Sequence, residues 1–234
     1  MTKIVNTQLT NLDKDFYRFH TKIIQSKKQN NSAFVSSLCK YQKLYKKAGS
    51  ESNFVENLDS FAEIMKKAGI ENLPGIIYST LVKLPFLTPQ AREMSALKGL
   101  DYAEQQGDYI HILARLSNLE ILYKQAGRAR AHAHLNILLR KVGVLTEICN
   151  NFENAVEGYR TFNKKHRTLT DFKLELARTR VGIAKSMKNT SPKHAIYELE
   201  KAREILKHEN KQKEVDFVDL MLSEIKNSLI EQNK

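Results

Sequence analysis

The sequence predicts an all-α protein, an array of antiparallel helical hairpins stacked in series, and three observations predict it. Apolar residues recur at i, i+3, i+4 and i+7 along nearly the whole chain, the period of a helix with one buried face. Glycine (9) and proline (4) are too scarce for an all-β fold, which needs turn residues at every strand junction. A near-identical hexamer ending in glycine occurs as LYKKAG at 44–49, IMKKAG at 64–69, LYKQAG at 122–127 and LLRKVG at 138–143. Each copy places Lys or Arg in the last turn of a helix, against the negative end of its dipole. Each then supplies the residue that best tolerates the left-handed conformation closing a helix. A compact irregular helical bundle is the alternative arrangement of the same helices.

The elements follow in order. Leu12, Phe16, Phe19 and Ile23 predict a helix over 10–28. Phe34, Val35, Leu38, Tyr41, Leu44 and Tyr45 predict one over 32–48, with Ser32 as its cap. Phe54, Val55, Leu58, Phe61, Ala62 and Met65 predict one over 52–68. Pro74, Pro89 and Pro192 read as first-turn prolines of helices over 73–84, 89–106 and 192–208, because a missing N–H is harmless there. Thr88 and Ser191 stand ready to cap the latter two. LPFLTP at 84–89 predicts a short non-helical link, since residues before proline avoid helical dihedrals. Gly107 closes one helix and Asp108 caps the next, over 108–126. Further helices are predicted over 128–142, 144–164, 171–188 and 211–231, the first of these stopping at Gly143. Short links make consecutive helices antiparallel. Residues 1–84 read as an N-terminal helical cap or divergent hairpins, and 89–234 as the repeat region.

Two stretches resemble the tetratricopeptide repeat, a 34-residue helix-turn-helix unit. In LSNLEILYKQAGRARAHAHL, Leu116 stands at the Trp position of the pattern, Leu119 and Tyr123 match its Leu and Tyr, and Gly127 falls at the inter-helix turn. Ala131 and Leu135 keep the A-x3-F spacing. In VGIAKSMKNTSPKHAIYELEKAREIL, Val181 and Gly182 resemble the Leu-Gly pair, and Ala195, Leu199 and Ala202 keep the small–large–small rhythm of the second helix. Together the stretches cover about a quarter of the chain. The resemblance implies a TPR-like α-solenoid that holds a peptide or partner protein in a concave groove. One variant of the family grips a carboxylate with Lys and Asn. Here only Asn118 matches it, with Ser117 and Ile121 at the other places.

The formal charge is +12, and fifteen of the Lys/Arg against six of the acids lie in 111–190. Such a basic middle attracts acidic protein, nucleic acid or anionic lipid. Arg115, Asn118, Lys124 and Arg178 lie off the apolar stripes and are the candidate groove residues. Arg128, Arg130, Lys164, Lys165 and Arg167 form candidate basic patches within RARAHAH and NKKHRT. His132 and His134, two residues apart, point to opposite sides of a helix and cannot share a metal. No phosphate-cradling loop, dinucleotide fingerprint, HExxH or nucleophile elbow occurs. No catalytic residue, cofactor or metal site is predicted.

Cys39 and Cys149 lie far apart on apolar stripes and read as buried thiols in a reducing compartment, so a cytoplasmic protein is expected. The N-terminus has no secretory signal and no run is apolar enough to span a membrane. The expected function is a non-enzymatic protein-binding scaffold with an acidic protein or peptide partner. A basic helical nucleic-acid binder is the alternative, and a homodimer is compatible with either.

Overall fold

The computed structural model describes residues 11–18, 21–22, 31–67, 73–84, 87–160 and 167–232. Among them every regular element is a helix: α1 (residues 11–18), α2 (Asn31–Lys47), α3 (Glu51–Lys67), α4 (Leu73–Val82), α5 (Pro89–Gln106), α6 (Tyr109–Gln125), a 3₁₀ turn (Gly127–Arg130), α7 (Ala131–Asn150), α8 (Phe152–Arg160), α9 (Leu169–Met187), α10 (Pro192–His208) and α11 (Gln212–Gln232). The chain divides into two compact units, Met1–Tyr102 and Ala103–Lys234.

The first unit is organised around aromatic rings. Phe16 is fully buried and meets Tyr41, Tyr17, Phe61 and Phe54 edge-on, at centroid distances of 5.3, 5.7, 6.0 and 6.3 Å. This orientation sets the positive edge of one ring on the negative face of the next. A polar cluster stands at the margin. Tyr45 donates its hydroxyl to Asp13 Oδ1 at 2.5 Å, and Asn57 Nδ2 donates to the same oxygen at 2.7 Å. Burial first, and then the Asp13 carboxylate, push the Tyr45 phenol far above its ordinary range.

In the second unit, α6 packs on α7, α7 on α9, α9 on α10 and α10 on α11, while α8 lies against α6 and α7. Ile110, Leu113, Leu145, Ile148, Phe172 and Leu176 form one buried cluster; Ala177, Ala184, Ala195, Leu199, Ala202, Leu206, Val215 and Val218 belong to the next. Ile205 touches both. Small residues allow the close approach: a Cβ built on Gly182 of α9 would stand 3.4 Å from Leu138 Cδ1 of α7.

The helix ends largely follow the sequence logic. At the end of α2, Gly49 has φ +65 and Ser50 N donates to Tyr45 O at 3.0 Å, the six-to-one bond of a Schellman closure. Gly107 closes α5 in the same way, and so does Asn210, with φ 55 and Lys211 N bonded to Leu206 O, after α10. Asp108 caps α6 by accepting from His111 N at 3.0 Å. Thr88 accepts from Ala91 N at 3.2 Å behind Pro89, and Thr168 with Asp171 forms a full capping box on α9. Ser191 makes no side-chain cap bond.

Gly143 departs from its expected role. It lies within α7, which runs on to Asn150, and no residue following LLRKVG caps a new helix while the apolar stripe continues through Val144, Leu145 and Ile148. The break falls instead at Asn151, whose N–H bonds Glu147 O. Gly69, the terminator of IMKKAG, lies outside the described residues. Cys39 is exposed rather than buried, and Cys149 is half-buried with its thiol pushed up by burial.

Opposite effects of one substitution test this distinction. Gly107→Ala forces a Cβ into a left-handed backbone and lowers unfolding free energy by about 1 kcal/mol. Gly143→Ala, mid-helix with open space around the new methyl, raises it by about 0.5–1 kcal/mol. Urea denaturation of both variants reads the two signs.

Candidate functional site

Three helices that are not consecutive, α6, α9 and α11, share one cavity of about 580 Å³, floored by residues of α7 and α10. That is within the range of ligand sites, roughly 300–1,000 Å³. Its apolar part comes from Leu138, Val181, Leu206, Phe217 and Val218. Its cations are Lys124 on α6, Lys141 on α7, Arg178 and Lys185 on α9, and Lys213 on α11.

These cations differ in how fully they are used. Lys141 is 6% exposed and reaches Glu120 Oε2 on α6 at 2.8 Å and Glu175 Oε1 on α9 at 2.7 Å. Burial pulls its ammonium pKa down, but the two carboxylates outweigh burial and hold it above the ordinary value. Glu175 also accepts from Arg167. Burial pushes its carboxyl up, and the hydrogen bonds from Lys141 and Arg167 more than reverse this, leaving it below the ordinary range. Arg178 forks onto Glu214 of α11, Nε to Oε2 at 3.0 Å and Nη2 to Oε1 at 2.9 Å, yet its side chain stays 62% exposed. Lys185 lies 4.8 Å above the Phe217 ring. Lys124 and Lys213 are exposed and, among the described residues, make no hydrogen bond or ion pair. His134 lines the same cavity with its Nε2 enclosed and without a hydrogen-bond partner among those residues.

Two of the four sequence-derived groove residues, Lys124 and Arg178, therefore meet in one cavity. Asn118 is half-buried on α6 and does not line it. Arg115 is 5% exposed, on the interior side of α6 with Ile112, Leu116 and Leu119, so it stands in the packed interior and not on the wall. Burial alone lowers its guanidinium pKa to about 10. Of the basic patches, Arg128 and Arg130 are exposed in the 3₁₀ turn, and Arg130 lies 5.9 Å from the buried Tyr123 ring. Arg167 faces inward, 4.1 Å from the Phe172 ring and bonded to Glu175. Lys164 and Lys165 lie outside the described residues. Sequence reasoning missed Lys185 although it stands two turns beyond Arg178 on the same face. Lys213 and Phe217 had no local signal, because only packing brings α11 beside α9.

Among the described residues, no three His, Cys, Asp or Glu side chains converge as a metal would require, and no helix is long and apolar enough to cross a membrane. No family model, curated protein or solved structure matches this chain.

The Lys141 bridge sets a stability test. Lys141→Met leaves two carboxylates facing each other without their cation and lowers unfolding free energy by about 3 kcal/mol. Glu175, depressed in the folded state, contributes stability above the ordinary carboxylate pKa of about 4.3 and loses it as pH falls through its lower folded value. Glu175→Gln therefore flattens the acid limb of a stability–pH profile taken from about pH 6 downward.

Proposed function

We propose that the chain is a non-enzymatic protein-binding scaffold, a TPR-like array of helical hairpins whose basic groove holds an acidic peptide or a segment of a partner protein. The observation that carries this reading is the convergence of Lys124, Arg178, Lys185 and Lys213, from α6, α9 and α11, on one apolar-floored cavity. Arg178 is already paired with Glu214, while Lys124 and Lys213 have no carboxylate of their own among the described residues. An occupant carrying carboxylates next to apolar side chains matches both parts of the wall. The hairpins α6–α7 and α9–α10, the helix-to-helix packing from α6 to α11, and the close seat of Gly182 on Leu138 support the array. The walls come from the first helix of each hairpin, which is where a concave face would lie.

Fluorescence anisotropy with a labelled peptide of alternating Glu and Leu, and its Gln counterpart, tests the reading. The acidic peptide binds and the amide peptide binds at least tenfold more weakly; Lys124→Glu with Lys185→Glu removes the preference. Equal affinity for both peptides contradicts it. Tighter binding of a short oligonucleotide, falling steeply with salt, would instead assign the basic wall to nucleic acid.

A further inference from the structure

One exposed face of α11 begins on the groove wall, where Lys213 and Phe217 line the cavity, and runs beyond it to Leu220 and Glu224, so a partner on this face and an occupant of the groove share those two residues. Lys213, Phe217, Leu220 and Glu224 follow i, i+4, i+7 and i+11, so they fall within about 60° of one another around the helix. All four are exposed, Phe217 by 46% and Leu220 by 66%, the highest value among the large apolar side chains of the described residues. The opposite face, with Val215, Val218, Leu222 and Ile225, is buried in the core shared with α10. Lys213 and Glu224 make no side-chain hydrogen bond or ion pair among the described residues. The stripe thus reads cation, aromatic, aliphatic, anion, and that order is its own complement when reversed.

We propose that this face is a homotypic interface, on which α11 of a second copy lies antiparallel. In the register that sets Phe217 against the partner's Leu220, the partner's Glu224 falls opposite Lys213, and the two-fold axis repeats both contacts. Charge selects this register. Sliding the helices until Leu220 meets its own copy brings Asp216 against the partner's Glu224, and a parallel pairing sets Lys213 against itself; like charges disfavour both. The overlap covers residues 212–225, about four turns or roughly 21 Å. Such a contact is smaller than the roughly 800 Å² per partner of a stable interface. The dimer therefore forms with rising concentration and dissociates on dilution.

Sedimentation equilibrium over roughly 5–500 µM tests this, with circular dichroism confirming that each variant keeps its helices. The wild-type chain shifts from monomer to dimer. Leu220→Glu abolishes the shift. Lys213→Glu alone and Glu224→Lys alone each weaken association about tenfold, since each creates like-charge contacts at two symmetric places. The double variant Lys213→Glu/Glu224→Lys recovers it, which a change in folding alone cannot produce. A wild-type chain monomeric throughout, a dimer indifferent to Leu220→Glu, or a double variant no better than the singles overturns the proposal.

Discussion

The second unit depends on one buried cation. Lys141 projects from α7 between Glu120 of α6 and Glu175 of α9, and so ties three helices at a single point beneath the groove. A lone ammonium that is 6% exposed would be expensive to desolvate, and two carboxylates within 2.8 Å offset that cost. Replacing the trio by hydrocarbon would pack as well, so its value is geometric. The pair distances tie α6 and α9 to α7, and all three residues line the cavity. The Arg178–Glu214 fork repeats the device between α9 and α11. Charges satisfied inside the wall leave Lys124 and Lys213 free at its rim, which gives the groove its unbalanced positive character.

The two units solve the burial problem differently. The first uses large rings, with Phe16 at the centre of edge-on contacts that fix its geometry through many small interactions. The second uses small residues, with Ala177, Ala184, Ala195 and Ala202 in one buried cluster and Gly182 of α9 seated close to Leu138 of α7. Of these small residues Gly182 lines the cavity, next to Val181 and Lys185 on the same helix. Lysines beside the apolar residues of the cavity give it its charge.

Helix existence and most helix ends were legible because they rest on local physics. Apolar period, capping hydroxyls and left-handed closure all act within a few residues, and they place the ends of α2 to α6 and α9 to α11 within two residues. Gly143 shows the limit of that logic: a terminator motif ends a helix only when the apolar stripe also ends and a cap follows. Asn210 shows the converse, a left-handed closure by a residue other than glycine. The groove was half legible. Lys124 and Arg178 were visible as charges off the apolar stripes, but Arg115 was misplaced to the surface, because long side chains can be buried where a stripe is wide. Lys213, Phe217 and the role of Lys141 depend on contacts between helices distant in sequence, which no local period encodes.

The central claim is that α6, α9 and α11 present one continuous cationic wall to an acidic partner. Nuclear magnetic resonance of the ¹⁵N-labelled protein, titrated with an acidic, leucine-containing peptide, maps that wall directly. The account predicts shifts concentrated at Lys124, Arg178, Thr179, Lys185 and Phe217, with the surface of the first unit unchanged. Shifts confined to the first unit or to the outer side of α10, or no shifts at saturating peptide, would contradict it.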